Sequence, residues 1–206
     1  MNRHRGFRIS TIAACAAFSL ALASCVGVAS DARIAADGSV RLELSYTVAS
    51  AVGELGRLGE NAAYLPLPVG RDELELAARR AGGSLASWSR SDASDRFTIR
   101  ASLSFPSVAA LASFFDPTGE KAVYQEASGR RTLGLALGGD SPSAAPELVE
   151  FVRVAFGDYE IALRFELPSA VLASEGFAVS GRTASFSAKA AELFAAPAPR
   201  RLSLSW

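Results

Sequence analysis

Three stretches of this chain alternate apolar and polar side chains at every second position. Val40, Leu42, Leu44, Tyr46 and Val48 alternate with Arg41, Glu43, Ser45 and Thr47. Phe97, Ile99, Ala101, Leu103 and Phe105 repeat the pattern, as do Tyr159, Ile161, Leu163, Phe165 and Leu167. A period of two cannot form one stripe on a helix, because helical neighbours recur at three and four residues. It fits a strand with one buried and one wet face. Each stretch must therefore find a sheet partner and an apolar layer to cover it.

The turns between these stretches support hairpins. Asp37-Gly38 and Ser128-Gly129 are residue pairs that tolerate the backbone a tight hairpin needs. A polar turn near 91–94 separates "SLASWSRSD" from "DRFTIRASLSF". Leu202, Leu204 and Trp206 alternate again, which predicts a paired strand at the end.

Helices fill some of the gaps. A helix is expected from Arg71 or Asp72 to Arg80. Its acids lie in the first turn, its arginines in the last, and Gly82 follows for a left-handed stop. "SVAALASFF" after Pro106 is a short apolar helix, with Pro106 expected at its first turn. Further short helices are expected over 49–58 and 147–157. Hairpin-linked strands with few helices predict an α+β fold. It would be a mostly antiparallel curved sheet with two to four short helices packed on one face.

The beginning of the chain has a different character. Arg3, Arg5 and Arg8 precede an apolar run from Ile9 to about Leu22, and no acid occurs before Asp31. That is the layout of a secretory signal. The run is short for a membrane span, which takes roughly 20 apolar residues. It ends in Leu22-Ala23-Ser24-Cys25, which resembles the lipobox of bacterial lipoproteins. The resemblance implies that residues 1–24 are removed and that the Cys25 thiol carries a diacylglyceryl group. Several acyl chains on one residue would hold the protein durably, since each buried methylene contributes about 0.8 kcal/mol. The division expected is a signal at 1–24, a lipidated cysteine with a short tether at 25–32, and one envelope domain at 33–206. That domain would face the periplasm or the exterior.

Composition narrows the chemistry. The only histidine is His4 and the only other cysteine is Cys15, both inside the segment expected to be removed. A serine or cysteine nucleophile would lack an imidazole base. Zinc would lack its usual ligands, and no metal or cofactor is expected. Removing Arg3, Arg5 and Arg8 leaves 18 basic against 21 acidic residues, which offers no basic face to nucleic acid. An enzyme would have to use carboxylates such as Asp92 with Asp95 or Asp158 with Glu160, or one of the lysines Lys121 and Lys189. A polar turn and a strand edge account for these residues more simply, so the domain is read as non-catalytic.

Beyond the lipobox, the chain is similar to the LppM-type domain of bacterial lipoproteins. The similarity is carried by "ADGSVRLELSY", by "DRFTIRASLSF" leading into "PSVAALASFF", and by "IALRFELPSAVLASEGFAVSGRTASFSA". This chain departs from the pattern where "FSAKAAELF" stands in place of an aromatic strand. The resemblance implies an α+β envelope domain associated with lipid or glycolipid binding, and it transfers no catalytic residue.

Two kinds of partner remain open besides the membrane itself. A lipid or other apolar ligand could lie between helix and sheet, lined by Trp88, Phe97, Ile99, Phe105, Phe114, Phe115, Phe151 and Phe165. The same side chains at these spacings suit plain core. Alternatively, strand edges and the loop "YLPLPVGRD" could dock an envelope protein without any small ligand.

Overall fold

The computed structural model describes residues 26–50, 68, 70–138 and 159–206. The expected signal peptide, Cys25, Phe151, the 147–157 helix and most of the 49–58 and 64–70 segments lie outside these residues. Among these residues eleven strands form two sheets: β1 (Val26–Ile34), β2 (Val40–Ala49), β3 (Ser84–Asp92), β4 (Arg96–Phe105), β5 (Ala122–Ala127), β6 (Arg130–Leu137), β7 (Glu160–Glu166), β8 (Ala173–Glu175), β9 (Ala178–Ser180), β10 (Thr183–Lys189) and β11 (Arg200–Ser205). Among the described residues three helices accompany them: α1 (Arg71–Arg80), α2 (Val108–Phe115) and α3 (Ala190–Ala195).

The large sheet has the strand order β3-β4-β2-β1-β7-β10-β9, and the small one β5-β6-β11-β8. Among the described residues every strand pair is antiparallel except β1 with β7. The fold is therefore α+β as expected, but built on two sheets where one was expected. The chain makes the second sheet by shuttling: after β7 it visits the small sheet as β8, returns as β9 and β10, and leaves again as β11.

The tether expected over 25–32 is replaced by β1. That strand lies in the middle of the large sheet, paired with β2 on one side and β7 on the other. Its side chains hide the fact. Ser30 and Ala32 are buried with little apolar bulk, so the alternation is faint in the sequence. Gly27 sits at an irregularity in the β1–β7 register, where a Cβ would come within 2.7 Å of the Tyr159 Cβ. Only glycine lets the two strands approach there.

The strongly alternating strands behave as the sequence predicts. Leu42, Leu44, Tyr46, Ile99, Leu103, Phe105, Leu163 and Phe165 are all buried on one face. They join Leu74 and Ala78 of α1, Val108 and Leu111 of α2, and Leu133, Leu202 and Leu204 of the small sheet in one core. α1 packs on β3, and α2 touches both sheets through β4 and β5. Ser107, not Pro106, caps α2: its hydroxyl accepts the Ala110 N–H at 3.1 Å, so the proline stands one residue outside. α1 opens with the Gly70 N–H donating to Glu73 at 3.1 Å.

Two buried polar groups lock loops onto this core. The Tyr46 hydroxyl donates to the Pro68 carbonyl. Burial first, and the Glu73 charge second, push its pKa well above the usual tyrosine range. At the end of α2, Asp116 accepts the Thr118 hydroxyl and the backbone N–H groups of Thr118, Lys121 and Ala122. Those bonds, the Thr118 hydroxyl foremost, hold its carboxyl far below the ordinary 3.8.

Candidate functional site

Of the candidate lining residues, Phe151 lies outside the described residues and the others belong to the core or pack against it. Phe97, Ile99 and Phe105 lie on β4 and Phe165 on β7, all buried. The strands β2 and β1 stand between those two groups. Phe114 and Phe115 on α2 are half-buried, with the Phe114 ring 5.1 Å from Phe105 and 6.1 Å from Phe115. Phe165 belongs to another cluster, edge-on to Phe177 at 5.7 Å, with Phe186 beyond. Trp88 is half-buried on the edge strand β3. A bulge between Leu85 and Ser87 puts it on the same face as Leu85 despite their odd spacing. At that edge the Arg90 guanidinium covers the Phe97 ring, 4.1 Å from its centre. Neither of the two clefts described next is lined by any of these candidates.

The larger cleft lies on the opposite, open face of the large sheet. Its volume is about 690 Å³. Strand register explains its shape. One row across the sheet consists of Arg100, Ser45, Ala29, Ala162 and Ser187, which are aligned partners on β4, β2, β1, β7 and β10. The adjacent row holds Glu43, Asp31, Arg164, Ser185 and Ala178. The middle of the first row is all alanine and serine, so short side chains leave a trough running across the strands. Long charged side chains rise on its flanks. Alternation marks Glu43, Ser45, Arg100, Ala162 and Arg164 as wet, the residues of β1, β9 and β10 carry no such signal, and only the register makes neighbours of them all.

The charges are paired across strands. Arg164 donates to both carboxylate oxygens of Asp31, at 3.1 and 2.8 Å. The chain of charges continues to Glu166, which lies 3.6 Å from Arg33 and 3.9 Å from Arg182. Glu43 accepts the Ser102 hydroxyl at 2.9 Å. Arg100 has no carboxylate within salt-bridge distance among the described residues. These side chains are exposed enough for water to screen them, so they add little stability. Their effect is to fix the direction of the Arg164 guanidinium at the trough, which Arg100 lines as well, and guanidinium matches the planar or tetrahedral oxygens of an anionic group.

A second cleft, of about 570 Å³, lies on the outward face of the small sheet. It has the same origin. Gly134 and Ser203 are aligned partners on β6 and β11, with Val123 and Glu175 at the sides. Among the described residues no group of three or more histidine, cysteine or carboxylate side chains is placed to hold a metal ion.

No family model matches the chain, and no curated protein is similar to it. Among solved structures, it is similar to the NMR structure of the folded domain of LppM from Mycobacterium tuberculosis. The match covers 86% of this chain and 86% of that one, at 13% identity and a TM-score of 0.49.

Proposed function

We propose that this chain is a non-catalytic domain of the bacterial cell envelope. It is held to a membrane by acylation of Cys25 and binds the polar part of a lipid in the trough of its large sheet. The anchor is supported by the basic start, the short apolar run and Leu22-Ala23-Ser24-Cys25. Among the described residues no helix is long and apolar enough to cross a membrane.

The observation that carries the ligand assignment is the trough itself. At about 690 Å³ it has the size of a small-molecule site. Its small-residue floor and the guanidinium groups of Arg100 and Arg164 suit a polar head group. Trp88, Phe97, Ile99, Phe105, Phe114, Phe115 and Phe165, the described candidates for lining an acyl chain, are occupied in packing within the core. Binding fits the lining better than catalysis does. Ser45, Ser185 and Ser187 supply hydroxyls, but the lining has no imidazole or amine to activate them. Asp31 is tied to Arg164 and Glu43 to Ser102.

Two measurements test this. Cys25→Ser should abolish the acyl mass increment and move the protein from the detergent phase to the aqueous phase. Native mass spectrometry of the mature protein should show a copurifying lipid. That lipid should be lost when Ser45→Trp fills the trough and Arg100→Ala removes one of its two guanidinium groups. Ligand-free wild type, or equal lipid retention in the filled variant, would end the binding assignment.

A further inference from the structure

β1 starts at Val26, the residue after Cys25, and it is the central strand of the large sheet. One peptide unit, about 3.8 Å between successive Cα atoms, is all that separates the acylated residue from the folded domain. From this we infer that the anchor fixes which end of the domain touches the membrane. The end of the large sheet at which β1 begins rests in the lipid head-group layer, and the hairpin tip at 35–39 points away. This rests on the acylation of Cys25 proposed above.

Register defines that end. Val26 is aligned with Glu160, and Glu160 with Lys189, where α3 begins. On the other side Val28 is aligned with Tyr46, and β2 runs on to Ala49, which faces Arg96. Beyond Arg96 lies the turn closed by the Ala93 N–H to the Arg96 carbonyl at 2.8 Å and the Ser50 N–H to the Asp95 carbonyl at 2.9 Å. This turn and the start of α3 therefore flank the anchor on both sides and reach at least as far toward the bilayer. A freely tethered domain would sample every orientation. A domain whose middle strand begins at the anchor cannot lift this end away.

Among the described residues, lipid charge does not supply the orientation. At this end Arg90 pairs with Asp92 at 2.6 Å and Arg96 with Asp95 at 2.8 Å, while Lys189 is aligned with Glu160. The contact is imposed by chain length and should be the same on zwitterionic and anionic bilayers.

Site-directed spin labels provide the test. After acylation Cys25 is a thioether, so an introduced cysteine is the one free thiol of the mature chain. Ser94→Cys and Ala36→Cys are both on exposed residues, at opposite ends of β1 and about 30 Å apart at the usual rise per residue. The mature protein, purified with its acyl groups, is reconstituted in phosphatidylcholine vesicles with and without phosphatidylglycerol. The label at 94 should be several-fold less accessible to a water-soluble nickel chelate than the label at 36, in both vesicle types. Inserting a Gly-Ser linker of about ten residues between Cys25 and Val26 gives a reach of roughly 18 Å and should erase the difference while membrane binding persists. Equal accessibility at 94 and 36 without the linker overturns this inference and leaves the anchor standing. A mature protein without the acyl mass overturns both.

Discussion

The two faces of the large sheet are made by the same strands and do opposite things. On one face leucine, phenylalanine and tyrosine fill the space against two helices and a second sheet, and water is excluded. On the other, alanine and serine are lined up across four strands so that space is left open. A strand gives its residues to the two faces in turn, so each bulky position on one face commits its neighbours to the other. The packed face determines whether the domain exists, and the open face determines what it can meet.

This contrast can be broken by substitution. Phe165→Ala, on a side chain with no exposure, should cost about 3–5 kcal/mol of unfolding free energy in a denaturant titration. A cost near that of a surface change would mean the face is not packed as described. Asp116→Ala leaves four buried or half-buried donors without their acceptor and should cost on the order of 2 kcal/mol. Because folding lowers the Asp116 pKa from 3.8, its contribution is fully present above about pH 5 and is lost as pH falls through the folded-state value. The stability of wild type and Asp116→Ala should therefore converge in acid and separate toward neutral pH. Convergence at high pH instead would contradict the sign. Tyr46→Phe removes the bond to the Pro68 carbonyl and keeps the ring, so about 1 kcal/mol is expected. On the open face, Arg164→Ala should change stability by less than about 1 kcal/mol, since its pair with Asp31 is partly solvated. A loss matching that of Phe165→Ala would erase the distinction between the faces.

The strands that could be read from sequence are those whose buried side chains are large. β2, β4 and β7 announce themselves through Leu42, Ile99 and Phe165, and α1 through its charged ends. β1 does not, because Ser30 and Ala32 fill its buried side with little volume. A stretch of small residues at the start of a domain looks the same as a linker. β8 and β9 are three residues each and exposed along their length, so no periodicity could reveal them. The trough was hidden for a related reason. Ala29, Ser45, Ala162 and Ser187 carry no individual signal, and their alignment depends on a pairing order that places the first strand between the second and the seventh. The described aromatic candidates stand out in the sequence by their size, which is also why they serve the core.

That pairing order has a consequence for how the chain is made. Asp31 and Arg164 meet across the parallel pair at a separation of 133 positions. Ribosomes deliver β1 near the beginning and its parallel neighbour only after most of the domain has been synthesised. Until then the first strand has one flank unsatisfied, and the sheet is limited to β3, β4, β2 and β1. Bringing such distant segments together is the slow kind of step in folding. A chain organised this way closes its central pairing only after most of its length is in hand.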